Sequence, residues 1–196
     1  MAEATTQPFG WERAMIAAEK VKQRLRRAVT ALDVAGVPYA VVGGNAVAEW
    51  VGRIDEDAVR NTRDVDLLIR RTDFPAASAA LEAAGFVYHH LLDIDVFIDG
   101  PGGKPSGGIH LLYAGEKVRH DDDQLLPEID ESERGLECQV VSLEALVRIK
   151  LSTYRTHDRV HILDLLAVGL LDHSWPSRLP APLGDRLQAL LDNPNG

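Results

Sequence analysis

Two aspartates one residue apart, Asp64 and Asp66, stand at the head of the apolar run Leu67-Leu-Ile69. Residues two apart on a strand point to the same face, so this spacing sets two carboxylates side by side and sends Val65 the other way. Like charges that close repel, and a bare pair tends to hold a proton. A divalent cation, Mg2+ (or Mn2+), relieves the repulsion, because carboxylate oxygens are its usual protein ligands and it is commonly shared with substrate phosphates. The plain alternative is a strand start with two solvated acids. Upstream, Gly43-Gly44 separates the apolar stretch 39–42 from a helical stretch 45–51 that begins at Asn45. A glycine pair at a strand-to-helix turn permits positive φ and close backbone approach. The helix start adds free N–H groups and partial positive charge, which suit a phosphate. Gly43, Gly44 and Asn45 are therefore candidate nucleotide-binding residues, against the ordinary reading of a simple turn.

Between these two pieces lie Arg60, Thr62 and Arg63. The arginines can neutralise triphosphate oxygens through charge-assisted hydrogen bonds or pair with the nearby acids Asp55, Glu56 and Asp57. The whole stretch, from the glycine turn to Arg60-Asn-Thr62-Arg63-Asp64-Val-Asp66-Leu-Leu, resembles the signature of the DNA polymerase β-like nucleotidyltransferase superfamily. Its small bacterial members carry an R-x-T-x-D-[hydrophobic]-D pattern after a glycine-containing turn. The segment from Leu146 through Lys150, Arg155, His157 and Asp158 to Asp164 resembles their L-x-x-x-K-L-x-x-x-R-x-[K/H]-D-x-x-D-[hydrophobic] tail. The two motifs occur in the expected order, and with the intervening strands the resemblance covers most of residues 37–171.

The resemblance implies a metal-dependent nucleotidyltransferase that moves a nucleoside monophosphate from an NTP to an acceptor hydroxyl. It also implies a third carboxylate on a later strand. Asp93 and Asp95 in Asp93-Ile-Asp95-Val-Phe-Ile share a parity; the family pattern, a single acid directly before a hydrophobic run, selects Asp95. Asp64, Asp66 and Asp95 are thus expected as the catalytic and metal-binding set, and Lys150 as a ligand of the triphosphate. Arg155 and Asp158 are expected as an ion pair fixing the helix junction. The acceptor, whether small molecule, tRNA or protein, is left open. So is a non-catalytic nucleotide- or partner-binding role, such as a toxin–antitoxin component.

Composition narrows the classes. A net charge of −9 argues against broad electrostatic binding of nucleic acid. No apolar run is long enough for a membrane span, and the start of the chain lacks the basic and apolar regions of a signal peptide. Cys138 is the single cysteine, so no internal disulfide forms, which suits a reducing cytoplasm.

The elements that must position the site follow from periodicity. Apolar residues at Met15, Ala18, Val21, Leu25, Val29 and Leu32 predict a helix over 11–35 ended by Gly36. Its Lys and Arg residues read as a solvated face or a phosphate contact. Strand stretches fall at 37–42, 65–69, 86–91, 94–98 and 109–113, with a last short one at 137–141. A helix is predicted over 76–84. Residues 100–108, GPGGKPSGG, form a connecting loop, and the acidic run 121–123 a solvated one. Helical periods resume from Ser142. The expected fold is α/β (α+β): a mixed sheet of about five strands with flanking helices and further C-terminal helices. An N-terminal helix (1–36), a core (37–141) and a helical segment (142–196) would form one unit.

Overall fold

The computed structural model describes residues 9–119 and 124–193; the acidic run 121–123 and the terminal residues 194–196 lie outside them. The elements run α1 (Gly10–Ala35), β1 (Tyr39–Val42), α2 (Gly43–Gly52), β2 (Val65–Ile69), α3 (Phe74–Ala83), β3 (Phe86–Leu91), β4 (Ile94–Asp99), β5 (Ile109–Tyr113), β6 (Ser132–Arg134), β7 (Gln139–Val141), α4 (Leu143–Thr153), α5 (Thr156–Ala167) and α6 (Ala181–Asp192). The sheet is mixed and has seven strands in the order β3-β4-β5-β2-β1-β7-β6. β2 runs antiparallel to β1 and parallel to β5, so it lies at the centre. The class is as expected and the strand count is higher. β6 is the addition: Ser-Glu-Arg is too short and too polar to read as a strand, and it forms because edge pairing with β7 satisfies its backbone.

Strand alternation divides the interior into two cores. Val65, Leu67 and Ile69 of β2 join Tyr39, Val41, Phe97 and residues of α1 and α3 on one face. Leu68 joins Val42, Val140 and residues of α2, α4, α5 and α6 on the other. β2 is buried on both faces, as a central strand must be.

Several helix ends explain themselves. α1 stops at Gly36, whose φ of +64° forms a left-handed cap that donates its N–H to Asp33 and Leu32 carbonyls. The apolar stripe expected along all of α1 is buried only from Val21 onward; Trp11, Met15 and Ile16 are exposed. The basic residues of its second half are engaged within the chain. Arg26 makes a two-pronged pair with Glu137, and Arg27 pairs with Asp99 while stacking on Phe86. Ser142 caps α4 by accepting from the Ala145 N–H. Among the described residues no helix is long and apolar enough to cross a membrane.

Candidate metal centre

The site is assembled where the β1–α2 turn crosses the start of β2. Gly43 adopts φ +66° and opens α2 directly, so the helix begins at the glycines themselves, two residues earlier than its periodicity suggests. A Cβ on Gly43 would lie 2.0 Å from Asp66 Oδ2, and one on Gly44 would lie 3.0 Å from the Thr62 side chain. The glycines let the backbone of the turn sit against the carboxylates, and they leave the N–H groups of the first turn of α2 beside them. Asn45 Nδ2 donates to the Asp64 carbonyl at 2.7 Å, tying the helix start to β2. Thr62 Oγ1 donates to Asp64 Oδ1 at 2.8 Å and fixes that carboxylate's rotamer.

The third member of the cluster is His110. It stands on β5 directly opposite Asp66 in the parallel β2–β5 ladder, so the two side chains share a face. Its Nδ1 lies 3.3 Å from Asp66 Oδ1 and 3.9 Å from Asp64 Oδ2. Its Nε2 donates to the Pro105 carbonyl at 3.0 Å. Ligand atoms of Asp64, Asp66 and His110 all lie within 4.8 Å of one another. The hydrogen bond to Asp66 raises the His110 pKa; burial opposes this and the Pro105 carbonyl adds to it. The arrangement fits a divalent cation: two carboxylate groups and one imidazole nitrogen converge, all partly accessible.

Asp95 is the main correction. The ladder places Asp95 opposite Leu111, which lies opposite Leu67, whereas Asp66 and His110 share their row with Val96. Asp95 therefore projects from the other face of the sheet and cannot join an ion held by Asp64 and Asp66. It accepts hydrogen bonds from Tyr88 Oη at 2.7 Å and from Tyr113 Oη, and contacts His90 Nδ1 at 2.8 Å. Burial would push its pKa up, but these three partners hold it below the usual carboxylate value. Asp93 is not an alternative: with Leu92 it forms the two-residue β3–β4 turn, at φ +65°.

The cluster opens on a cleft of about 730 Å³. Gly44, Thr62, Arg63, Asp64, Asp66 and Lys150 all line it, so most of the expected site residues come together. Arg60 does not line it; its Nε binds Asp164 at 2.8 Å, rather than any of Asp55, Glu56 and Asp57. Lys150 is buried with its Nζ 3.0 Å from Asp158 Oδ1. Asp158 also accepts from Thr153, the Arg155 N–H and Arg155 Nε. Burial alone would raise the Asp158 pKa; Lys150, Thr153 and Arg155 lower it. This is the expected junction between α4 and α5, and Lys150 belongs to it as well as to the cleft.

Sequence reasoning missed His110 and His161. The signal for His110 was the fragment Gly108-Ile-His110-Leu-Leu, a single polar residue inside an apolar strand, in the manner of Val65-Asp66-Leu-Leu. In the tail, the D-x-x-D spacing counted from Asp158 falls on His161, and Asp164 lies one turn further. His161 lines the cleft; burial and the nearby Lys150 pull its pKa down to about 4.

No protein-family model and no curated protein matches the sequence. Solved structures do. The solution structure of the antibiotic-resistance factor ANT(2″)-Ia aligns over 90% of this chain and 92% of its own, with a TM-score of 0.57 and 16% identity. The crystal structure of ANT(2″)-Ia in complex with adenylyl-2″-tobramycin covers 91% and 99%, with a TM-score of 0.53 and 17% identity. JHP933 from Helicobacter pylori covers 91% and 75%, with a TM-score of 0.54 and 15% identity. The chain has a nucleotidyltransferase-like fold.

Proposed function

We propose that the protein is a metal-dependent nucleotidyltransferase that moves a nucleoside monophosphate from an NTP to an acceptor hydroxyl and releases pyrophosphate. The observation that carries this reading is the convergence of Asp64, Asp66 and His110 beside the N-terminus of α2, on a cleft that Arg63, Lys150 and Arg155 also line. Asp64 and Asp66 would hold the cation, with His110 as the third ligand. A divalent ion held there would supply charge neutralisation to the triphosphate and polarise the phosphoryl group.

The remaining roles belong to the chain. The backbone N–H groups at Gly43 and Gly44 face the phosphates, and the α2 dipole favours their charge. Arg63 and Arg155 line the cleft and offer donors to phosphate oxygens. Thr62 and Asn45 hold Asp64 and its strand in place. The acceptor oxygen forms a bond to the α-phosphorus as the bond to pyrophosphate breaks, and the hydroxyl proton leaves to solvent. A net charge of −9 and a cleft of about 730 Å³ favour a small acceptor over a polynucleotide. The adenylyl-2″-tobramycin held by ANT(2″)-Ia makes hydroxylated amino sugars the first acceptors to test.

The test is transfer of label from each α-labelled NTP to a panel of such acceptors. Asp64→Ala should abolish transfer while melting at the wild-type temperature; undiminished transfer by this variant removes the mechanism. A second reading is favoured by one observation, the imidazole of His110 in the cluster where the family resemblance implies an acid. In that reading the protein binds nucleotide without turning it over. NTP binding by calorimetry, with no transfer to any acceptor, would select it.

A further inference from the structure

We infer that the Asp64–Asp66–His110 centre is a mixed nitrogen–oxygen site that selects a later first-row ion of the Co2+ or Zn2+ type over Mg2+. This rests on the reading that the cluster is the metal seat. Mg2+ is bound by oxygen ligands and, like Mn2+, suits a carboxylate site, whereas imidazole suits Zn2+ and the other later first-row ions. The carboxylate that would make the site all-oxygen is not available. Asp95 is on the far face, and the residue that shares the row with Asp66 and His110 on β4 is Val96.

His110 is also held as a ligand is held. A metal-binding imidazole characteristically donates its other N–H to a carbonyl or carboxylate, which fixes the tautomer and aims the free nitrogen at the ion. Here Nε2 donates to the Pro105 carbonyl, so in the neutral ring, the form that would bind a cation, the lone pair belongs on Nδ1, the atom that faces Asp64 and Asp66. The orienting carbonyl is fixed in turn, since it accepts the Gly108 N–H at 3.0 Å. That tight turn requires glycine: a Cβ at Gly108 would stand 2.9 Å from the Phe97 carbonyl and 3.2 Å from the Pro105 carbonyl. The loop between β4 and β5 thus ends in a device whose effect is to present one imidazole nitrogen to two carboxylates.

The full chain, stripped of metal, should be titrated with Co2+ and separately with Mg2+ by calorimetry, as wild type, His110→Ala and His110→Asp. His110→Ala should weaken Co2+ binding about tenfold or more and leave Mg2+ binding unchanged. His110→Asp should bind Mg2+ more tightly than wild type does. Mn2+-loaded wild-type protein should show coupling to an imidazole 14N nucleus in pulsed electron paramagnetic resonance, a readout that needs no variant to fold. Equal losses for both ions in His110→Ala, or no 14N coupling, overturn the selectivity while leaving a carboxylate metal seat standing. Ion binding that survives Asp64→Ala intact would overturn both.

Discussion

Gly43→Ala separates the chemistry of the turn from its conformation. Gly43 has φ +66°, a region that costs an L-residue roughly 1–2 kcal/mol. Its new Cβ would also stand 2.0 Å from Asp66 Oδ2 and 2.8 Å from its Cγ, so the carboxylate must leave its rotamer, at a further ~0.5–1.5 kcal/mol. The combined destabilisation is about 1.5–3.5 kcal/mol. Gly36→Ala is the matched control: φ is +64° and no atom lies within 4 Å of its Cβ, so it should lose only the conformational part, about 1–2 kcal/mol. Urea denaturation measures both losses, and calorimetric titration with Mn2+ measures the site. Gly43→Ala should lose ion affinity, and Gly36→Ala should keep it. Equal stability losses together with unchanged ion affinity in Gly43→Ala would refute the claim that the close approach of turn and carboxylate builds the site.

Asp158→Ala strands the ammonium of Lys150 in a buried setting and should cost about 3–5 kcal/mol, read from denaturant midpoints; Asp158→Asn should cost less. Asp95→Asn should lower stability by about 1–3 kcal/mol by disturbing its tyrosine partners, yet leave ion affinity at the wild-type level; a loss like that of Asp66→Asn would contradict the two-faced arrangement. His161 gives a pH signature. Its native pKa is about 4, below the unfolded value near 6.5, so the unfolded chain binds more protons in that window. Stability should be undiminished above about 6.5 and fall toward 4 by up to roughly 1.4 kcal/mol per pH unit. His161→Gln should flatten this slope in denaturant midpoints measured across the range.

What could be read in advance follows from what a single strand or helix determines locally. Asp64-Val-Asp66 carries its own geometry, because alternation is a property of any strand, and Gly43-Gly44 carries a turn whatever surrounds it. Arg155 and Asp158 are close in sequence across one helix junction, so their pairing was also legible, whereas Lys150, expected at the triphosphate, meets Asp158 only through the packing of α4 on α5. Asp95 and His110 were not legible, because which residue lies beside Asp66 depends on which strand pairs with β2 and in what register. β5, not β4, is that neighbour, and the parity of Asp95 is then fixed by the β4–β5 ladder. Arg60 chose Asp164 over nearer acids for the same reason: packing of α2 on α5 brings distant residues together.

Because β2 is flanked on both sides and covered on both faces, its positions answer to two different masters by parity. Val65, Leu67 and Ile69 serve the layer under α1 and α3, while on the opposite parity Asp66 serves the carboxylate cluster and Leu68 the other core. A single inserted or deleted residue within this strand would exchange the roles: hydrocarbon would meet the cation, and carboxylates would enter the layer under α1 and α3. Natural variation here should consist of substitutions that keep frame, and length change should be confined to the connection between the end of α2 at Gly52 and Arg60.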